Sequence, residues 1–445
     1  MRSKSEKWYQ SWWSWLNREL RWLTPGIGVK RWIGLILVGT TLVGLGIAVL
    51  ILDTYRSASD EWYVPVLATL SLRFLDRWVR GLIFGGVGLT VILLGVWGLN
   101  RSLLKPFLRP GKPVLDTVTA YRRRERGPRV VVIGGGTGLA SMLRGLKLHT
   151  NNITAIVTVA DDGGSSGELR RSMGVLPPGD IRNCLTALSG DEELLTQVFQ
   201  YRFAAGMGLN GHTLGNLLIT ALADITGSFE EAVAESARVL AVQGQVLPST
   251  LHDVRLAAEV ILPEGREVRI RGESQIPEAG GRVSRVWLEP GNPLAYPPTL
   301  QAILNADLIL VGPGSLFTSI LPNLLVPDIA EALRSSRAMK FYICNVATQP
   351  GETNEFTCGD HVHTIEKHLR MQLFDLIVCN ANFSKSLPEG IAWVRPEEDL
   401  DQVYPLYCSD VVDLEKPWRH DSDKLARTVM DIYYDRTGPL VNREE

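Results

Sequence analysis

Short apolar runs that alternate with amphipathic helices constrain the fold of this chain most strongly. The run RVVVIG at 129–134 is too short for a core helix and leads into a glycine cluster, and 137–148 then carries leucine and methionine at helical spacing. A second apolar run follows at 153–159. This spacing predicts two parallel strands joined by a right-handed helical crossover.

The same alternation continues along the rest of the chain. Further strands are predicted at 306–312, 340–345 and 374–380, and helices at 192–203, 213–225 and 229–242. Segment 245–290 alternates between apolar and polar residues and predicts a small antiparallel insert. Residues 128–445 are therefore expected to form one doubly wound α/β domain with a mostly parallel sheet.

The first apolar run ends in a turn with four glycines in five positions. Its residues are Gly134, Gly135, Gly136, Thr137 and Gly138. Ligands of open parallel sheets bind beyond the carboxyl ends of the strands, and a glycine turn lets backbone N–H groups approach a phosphate there. The third glycine comes one residue too early for the G-x-G-x-x-G pattern of dinucleotide sites. Nucleotide or phosphate binding is favoured over a purely structural turn.

Two adjacent acids follow the second apolar run. Asp161 and Asp162 precede GGSSG at 163–167. One carboxylate could bind a hard cation such as Mg²⁺ while the other orients a hydroxyl, and the glycine–serine run would supply hydroxyl and N–H donors. Capping of the next helix is the alternative interpretation, at even odds. The pair is thus the candidate for both metal binding and catalysis.

Polar turns also follow the later strands. Candidate binding residues are Gly312, Pro313, Gly314, Ser315, Thr318 and Ser319 in GPGSLFTS, and Asn345, Thr348 and Gln349 in CNVATQPGET. The first of these turns has the shape of an anion site but lacks the lysine of a P-loop, so Walker-type ATP hydrolysis is not supported. GHTLGN at 211–216 adds Asn216 as a binding residue and His212, either a neighbour of a helix cap or a catalytic acid.

The N-terminal third predicts a membrane anchor. Residues 33–52 and 81–99 are uncharged apolar runs, long enough to cross a hydrocarbon core of about 30 Å. Basic residues flank the two runs on their outer sides, which places both termini in the cytoplasm by the positive-inside rule. A signal peptide and a buried soluble hairpin are the alternatives, and both are disfavoured. The hairpin as a whole is assigned to residues 31–100.

The flanking segments are basic. Residues 1–30 are rich in tryptophan and arginine and predict an interfacial amphipathic helix on anionic lipid, with ordinary aromatic-belt flanking as the alternative. Residues 101–127, which include RRRER, predict a juxtamembrane linker that contacts lipid.

The charge and the cysteine content disfavour several other classes of protein. Residues 1–127 carry 19 basic and 8 acidic residues, whereas the remainder carries 27 and 40. So acidic a body disfavours nucleic-acid binding. The five cysteines form no CxxC pair and no regular spacing, which predicts neither a zinc site nor a disulfide framework and favours a reduced, cytosolic body.

Eight motifs together resemble the gluconeogenesis-factor (YvcK-like) family, which is related to 2-phospho-L-lactate transferase, CofD. They are VVVIGGGTGLASMLRGLK, ITAIVTVADDGGSSGELR, LPPGDIRNCLTALS, GHTLGNLLITAL, VLPST, RGES, LVGPGSLFTSILPNLLVP and CNVATQPGET, in this order over about 128–400. The resemblance does not cover the two apolar runs. It implies a Rossmann-like fold in which 134–138, Asp161, Asp162 and 312–319 form the nucleotide site.

The resemblance also implies a function. It suggests a bacterial protein that binds UDP-sugars such as UDP-N-acetylglucosamine and maintains cell shape during gluconeogenic growth. The alternative is a CofD-like transferase that moves a phospholactyl-type group from a nucleotide donor with Mg²⁺, and whether any reaction is catalysed stays open. A plain NAD(P)-binding protein is disfavoured by the glycine spacing and the paired acids.

The expected setting combines the anchor with this function. We expect a multi-pass protein of the bacterial inner membrane whose main domain is cytoplasmic. Its expected partners are a nucleotide-sugar, membrane lipids and proteins of cell-wall synthesis, without nucleic acid. A homo-oligomer is left open.

Overall fold

The structure, a computed structural model, describes residues 74–104, 124–190, 193–397 and 400–438. It also describes isolated positions between 38 and 72. The chain divides into two compact units, Met1–Arg122 and Arg123–Glu445.

The first unit contains one long helix, α1, at Arg77–Leu104. Its apolar part, Trp78–Leu94, is about 25 Å long at 1.5 Å per residue, which falls short of a hydrocarbon core of about 30 Å. Across the part of the chain that the structure describes, no single helix is long and apolar enough to span a membrane. The predicted transmembrane hairpin, and the inner-membrane localisation that depended on it, are therefore wrong.

Other predictions for the N-terminal third fall on residues that the structure does not describe. The first predicted span, 33–52, lies outside the described residues apart from isolated positions. The interfacial segment 1–30 and most of the linker 101–127 lie outside them as well.

The second unit is built on a parallel sheet of seven strands. The strands of this unit are β1 (Val130–Gly134), β2 (Ile153–Val157), β3 (Gln245–Pro248), β4 (Arg255–Ile261), β5 (Glu267–Arg271), β6 (Arg282–Glu289), β7 (Leu308–Val311), β8 (Met339–Ile343), β9 (Leu376–Asn380) and β10 (Leu406–Ser409). The sheet order is β10-β9-β8-β7-β1-β2-β3, and all of its neighbouring strands run parallel. The predicted doubly wound α/β core is confirmed.

The order of the strands reverses between β1 and β7. From β1 the chain adds β2 and β3 on one side, and from β7 it adds β8, β9 and β10 on the other. The loops after β1 and β7 therefore leave in opposite directions and open a crevice at the carboxyl ends of these strands, which is where ligands bind in open α/β sheets.

Helices cover both faces of the sheet. The remaining helices are α2 (Gly136–Leu146), α3 (Gly164–Met173), α4 (Gly179–Leu188), α5 (Glu193–Gln200), α6 (Leu214–Thr226), α7 (Phe229–Val239), α8 (Gln275–Glu278), α9 (Pro297–Asn305), α10 (Leu321–Leu324), α11 (Pro327–Ser335), α12 (Cys358–Leu369) and α13 (Ser422–Thr437), with a π-helix at Leu316–Ile320. The Ser228 hydroxyl caps α7 by accepting a hydrogen bond from the Glu231 amide.

A separate antiparallel sheet lies in the region predicted as an insert. Its order is β5-β4-β6. Strand β3, the first part of the predicted insert, instead pairs with β2 at the edge of the main sheet. Its apolar residues Val246 and Pro248 are buried there, so the antiparallel segment begins only at β4.

Helix α2 packs between the sheet and α13. Its side chains Leu139, Met142, Leu143 and Leu146 are fully buried. On its other side, Gly145 lies so close to α13 that a Cβ atom there would come within 2.6 Å of the Ala426 Cβ atom and closer still to the Ser422 carbonyl oxygen. Glycine is needed at this position because the two helix backbones touch.

We expect Gly145→Ala to destabilise the second unit. The added methyl group must push α2 away from α13, and overpacking of this kind lowers the free energy of unfolding by about 1–3 kcal/mol. Thermal unfolding followed by circular dichroism measures the effect. The matched control is Gly291→Ala at an exposed position where the nearest atom is 3.8 Å away. Equal melting temperatures for the two variants would contradict the close helix contact.

Candidate functional site

Two glycine turns meet at the crevice between β1 and β7. The first runs from Gly134 to the start of α2, and Gly136 adopts a φ of +64°, a conformation that glycine tolerates best. The second follows β7, and its Pro313 carbonyl oxygen would lie 2.6 Å from a Cβ atom on Gly138. The two backbones are therefore in direct contact, and both turns line the same cavity.

The turns enclose a cavity of about 500 Å³. It is lined by Gly135, Gly136, Thr137, Gly138, Ser141, Thr158, Asp161, Asp180, Glu273, Pro313, Gly314, Ser315, Thr318, Ser319, Asn345, Val346, Ala347, Thr348, Gln349, Pro350, Ile391, Trp418, Arg419 and His420. The structure thus brings most of the sequence-predicted residues together in one place. Gly134, Asp162, Asn216 and Gly312 do not line the cavity.

The second glycine turn is held in place by the loop after β8. The Gly314 amide donates to the Asn345 side-chain oxygen at 3.1 Å, and the Asn345 amide group donates back to the Gly314 carbonyl at 2.8 Å. The Gln349 side chain donates to the Ser315 hydroxyl at 2.8 Å. Asn345 and Gln349, predicted as binding residues, therefore also fix the shape of the turn.

The two adjacent acids have different surroundings. Asp161 lines the cavity, and its carboxylate accepts a hydrogen bond from the Gly163 amide at 2.9 Å. The Asp162 carboxylate points the other way and accepts from the Ser274 amide at 3.0 Å. Ser274 follows Glu273, which lines the cavity. Asp162 therefore anchors the turn that brings Glu273 to the site, and Asp161 is the member of the pair that lines the cavity.

Asn216 and His212 support the acidic loop from behind the cavity. The Asn216 side chain donates to the Ser165 hydroxyl at 3.0 Å and accepts from Arg182 at 3.1 Å. The His212 Nδ1 atom lies 2.9 Å from the Ser165 hydroxyl, and its Nε2 atom lies 3.3 Å from a Glu168 carboxylate oxygen. This buried network fixes the start of α3 against α6.

Three carboxyl groups face the cavity, and their pKa values are shifted upwards. Burial raises the pKa of Asp161, with a smaller contribution from Asp162. Burial together with the Asp161 charge raises the pKa of Asp180 to about 6, and the same two causes raise the pKa of Glu273 to about 8. Ionising all three at once is unfavourable, so the wall of the cavity attracts either protons or a cation.

The segment before α13 also lines the cavity. Among the described residues that line the cavity, Arg419 carries the only Lys or Arg charge. Beside it, His420 is buried and its Nε2–H donates a hydrogen bond to the Cys344 carbonyl oxygen at 3.1 Å, and burial lowers the pKa of this histidine to about 4. The imidazole is therefore neutral near pH 7, which leaves Arg419 as the positive group.

Sequence reasoning missed Asp180, Glu273 and the 418–420 segment. Asp180 sits in LPPGDIRN and Glu273 in RGES, which contributed to the family resemblance, but neither acid directly follows a strand of the parallel sheet. Residues 418–420 lie in KPWRH, where the adjacent tryptophan, arginine and histidine were the sequence feature that could have indicated a binding segment.

Across the described residues, no group of three or more His, Cys, Asp or Glu side chains could hold a metal ion.

Comparisons with known proteins agree with this fold. The family model for 2-phospho-L-lactate transferase CofD matches residues 130–427. The chain belongs to the CofD family. Within it, the chain is similar to the proteins named gluconeogenesis factors. It is 46% identical to the putative gluconeogenesis factor of Nostoc sp., over 94% of this chain and 93% of that protein.

Shorter relatives match the second unit. The gluconeogenesis factor of Bacillus subtilis is 46% identical over 68% of this chain and 98% of its own length. The crystal structure of a UPF0052 family protein from Bacillus halodurans has a TM-score of 0.63 and 42% identity, and covers 68% of this chain and 99% of that one. The predicted family resemblance is therefore confirmed.

We expect Asp180→Asn to stabilise the protein in a pH-dependent way. Because the pKa of Asp180 in the folded chain, about 6, exceeds its ordinary value of 3.8, its ionisation lowers stability as the pH rises through this interval. The Asp180→Asn side chain does not ionise, so the variant avoids this loss of stability, and it keeps an oxygen that can accept a hydrogen bond. Its free energy of unfolding should exceed that of the parent by about 3 kcal/mol near pH 8 and equal it below about pH 3.

Urea unfolding at several pH values, followed by tryptophan fluorescence, measures this difference. The control is Asp435→Asn on the exposed side of α13. A difference between parent and Asp180→Asn that is constant with pH would contradict the raised pKa.

Proposed function

We propose that the cavity binds a nucleoside diphosphate-sugar of the UDP-N-acetylglucosamine type. The observation that carries this proposal is the contact of two glycine turns at the strand-order reversal, with Arg419 among the residues that line the same cavity. Backbone N–H groups at the start of α2 and an arginine are a suitable donor set for two linked phosphates. A volume of about 500 Å³ lies within the range of small-molecule sites.

The choice of a UDP-sugar follows the family resemblance. In this proposal the protein senses the supply of a cell-wall precursor and acts on cell-wall synthesis proteins, so that cell shape is maintained during gluconeogenic growth. The name shared by its relatives, gluconeogenesis factor, supports this role.

Mg²⁺ is proposed to accompany the diphosphate. This ion is usually held by one or two carboxylates together with substrate phosphates, so a cluster of three protein ligands is not required. Asp161 and Asp180 are the carboxylates on the cavity wall that would hold it. The ion would neutralise the charge that these carboxylates and the diphosphate bring into one cavity.

Calorimetric titration of the full chain tests the ligand. We titrate UDP-N-acetylglucosamine, GDP and NAD, each with and without Mg²⁺, and analyse the ligand afterwards. Saturable binding of the UDP-sugar, recovered unchanged, is the expected result. Binding of NAD alone, or of none of the three, would refute the proposal.

Replacing the arginine should weaken binding of the UDP-sugar. We expect Arg419→Ala to raise the Kd about tenfold to a hundredfold, because it removes a charge-assisted hydrogen bond to phosphate, which contributes about 1.5–3 kcal/mol. The matched control is Arg334→Ala on the exposed face of α11, which should leave the Kd unchanged. Equal effects of the two variants would remove Arg419 from the site.

A transferase is the second candidate, because the matching family model describes 2-phospho-L-lactate transferase. If a group is transferred with Mg²⁺, Asp161→Asn should abolish turnover of a phospholactyl-type nucleotide donor while the nucleotide still binds. The control is Asp435→Asn on the exposed side of α13, away from the residues that line the cavity. Loss of binding in Asp161→Asn, without any turnover in the parent, would leave the sensor as the better description.

A further inference from the structure

Four of the five cysteines lie together at the carboxyl ends of neighbouring strands. Cys344 directly follows β8, Cys379 lies in β9 and Cys408 in β10. Cys358 is the first residue of α12, which packs beside these strands. Their spacing along the sequence gives no indication of this arrangement, because the parallel sheet brings together residues that are far apart in the chain.

The four thiols are neighbours in a series. The Sγ atoms of Cys358 and Cys379 are 3.3 Å apart. Cys379 and Cys408 are paired positions on adjacent parallel strands. Cys344 and Cys358 are close enough for each to shift the pKa of the other's thiol. We call this series the thiol ladder.

The thiol ladder leads from solvent into the core. Cys408 is exposed, whereas Cys344, Cys358 and Cys379 are buried. Burial and the hydrogen bonds among them raise the pKa of Cys358, Cys379 and Cys408, so the resting groups are protonated thiols. Within the described ranges no such group is arranged to hold a metal ion, and sulfur–sulfur chemistry is therefore the property that this cluster offers.

We propose that Cys358 and Cys379 are a reversible disulfide site, oxidised by a low-molecular-weight disulfide that reacts first at Cys408. Their Sγ atoms are already in van der Waals contact, so a bond of about 2.05 Å requires only a small approach. Cys408 is the member of the ladder that a reagent in solution can reach.

The exchange proceeds in three balanced steps. The Cys408 thiol first loses its proton to solvent, and the resulting thiolate attacks one sulfur of the reagent RSSR, which forms a mixed disulfide and releases RS⁻. Cys379 then gives its proton to this RS⁻, and its thiolate attacks the Cys408 sulfur and expels the second RS⁻. Finally Cys358 gives its proton to the second RS⁻, and its thiolate attacks the Cys379 sulfur and releases Cys408 as a thiolate, which takes back a proton from solvent. Two protein thiols are oxidised, and one RSSR is reduced to two RSH.

This site borders the wall of the ligand cavity without belonging to it. The Cys344 carbonyl lies 3.1 Å from the His420 Nε2 atom, and the next residue, Asn345, holds the Gly314 turn. A bond between Cys358 and Cys379 would tie the start of α12 to β9 directly beneath this wall.

Oxidised glutathione and peptide mapping of the full chain test the proposal. After incubation, free thiols are blocked with N-ethylmaleimide in denaturant, and non-reducing peptides are analysed by mass spectrometry. We expect the loss of two free thiols, a peptide pair linked through Cys358 and Cys379, and reversal by dithiothreitol. Cys408→Ser, an exposed change, should slow formation of this link at least about tenfold. Cys184→Ser, outside the ladder, is the control and should not slow it.

Three results would overturn the proposal. One is the recovery of all five cysteines alkylated, and another is glutathione on Cys408 with Cys358 and Cys379 both alkylated. The third is a stable Cys379–Cys408 bond as the final product. Because the unmodified chain supplies these results, they do not depend on the folding of any variant.

Discussion

The cavity depends on one contact between two backbones. Gly138 and Pro313 approach so closely that a side chain on Gly138 would displace the second turn, and this approach is possible only because β1 and β7 are neighbours where the strand order reverses. Each turn alone would offer a few N–H groups to solvent. Together they form two sides of one cavity, and the Asn345 side chain fixes the second turn through its hydrogen bonds to Gly314.

The electrostatics of the cavity depend on the different positions of two adjacent acidic side chains. Asp161 contributes charge to the cavity, whereas Asp162 anchors the turn that delivers Glu273 from the antiparallel sheet. The Asp162 carboxylate thereby couples the small sheet to the cavity. A diphosphate that enters must share the space with Asp161, Asp180 and Glu273, and this requires protons, a cation or Arg419 to balance the charge.

Local sequence patterns predicted the parallel core and both glycine turns, because each turn directly follows its strand. They did not predict which of Asp161 and Asp162 lines the cavity, because this depends on the hydrogen bond from the distant Ser274 amide to Asp162. Glu273 and Trp418–His420 are far from the glycine turns in the sequence, and only the tertiary fold brings them to the cavity. No local sequence pattern therefore predicts them. The transmembrane prediction was wrong because it counted apolar residues, whereas spanning a bilayer requires one helix of sufficient apolar length.

The tight packing of Gly145 against Ser422 and Ala426 also has a consequence for the order of events during synthesis. The first glycine turn leaves the ribosome early, but the helix behind it gains its partner only when α13 has emerged. Trp418, Arg419 and His420, which complete the cavity, arrive just before that helix. A nascent chain therefore displays the first glycine turn long before the cavity is complete, and the cavity reaches its final form only after the last helix has docked.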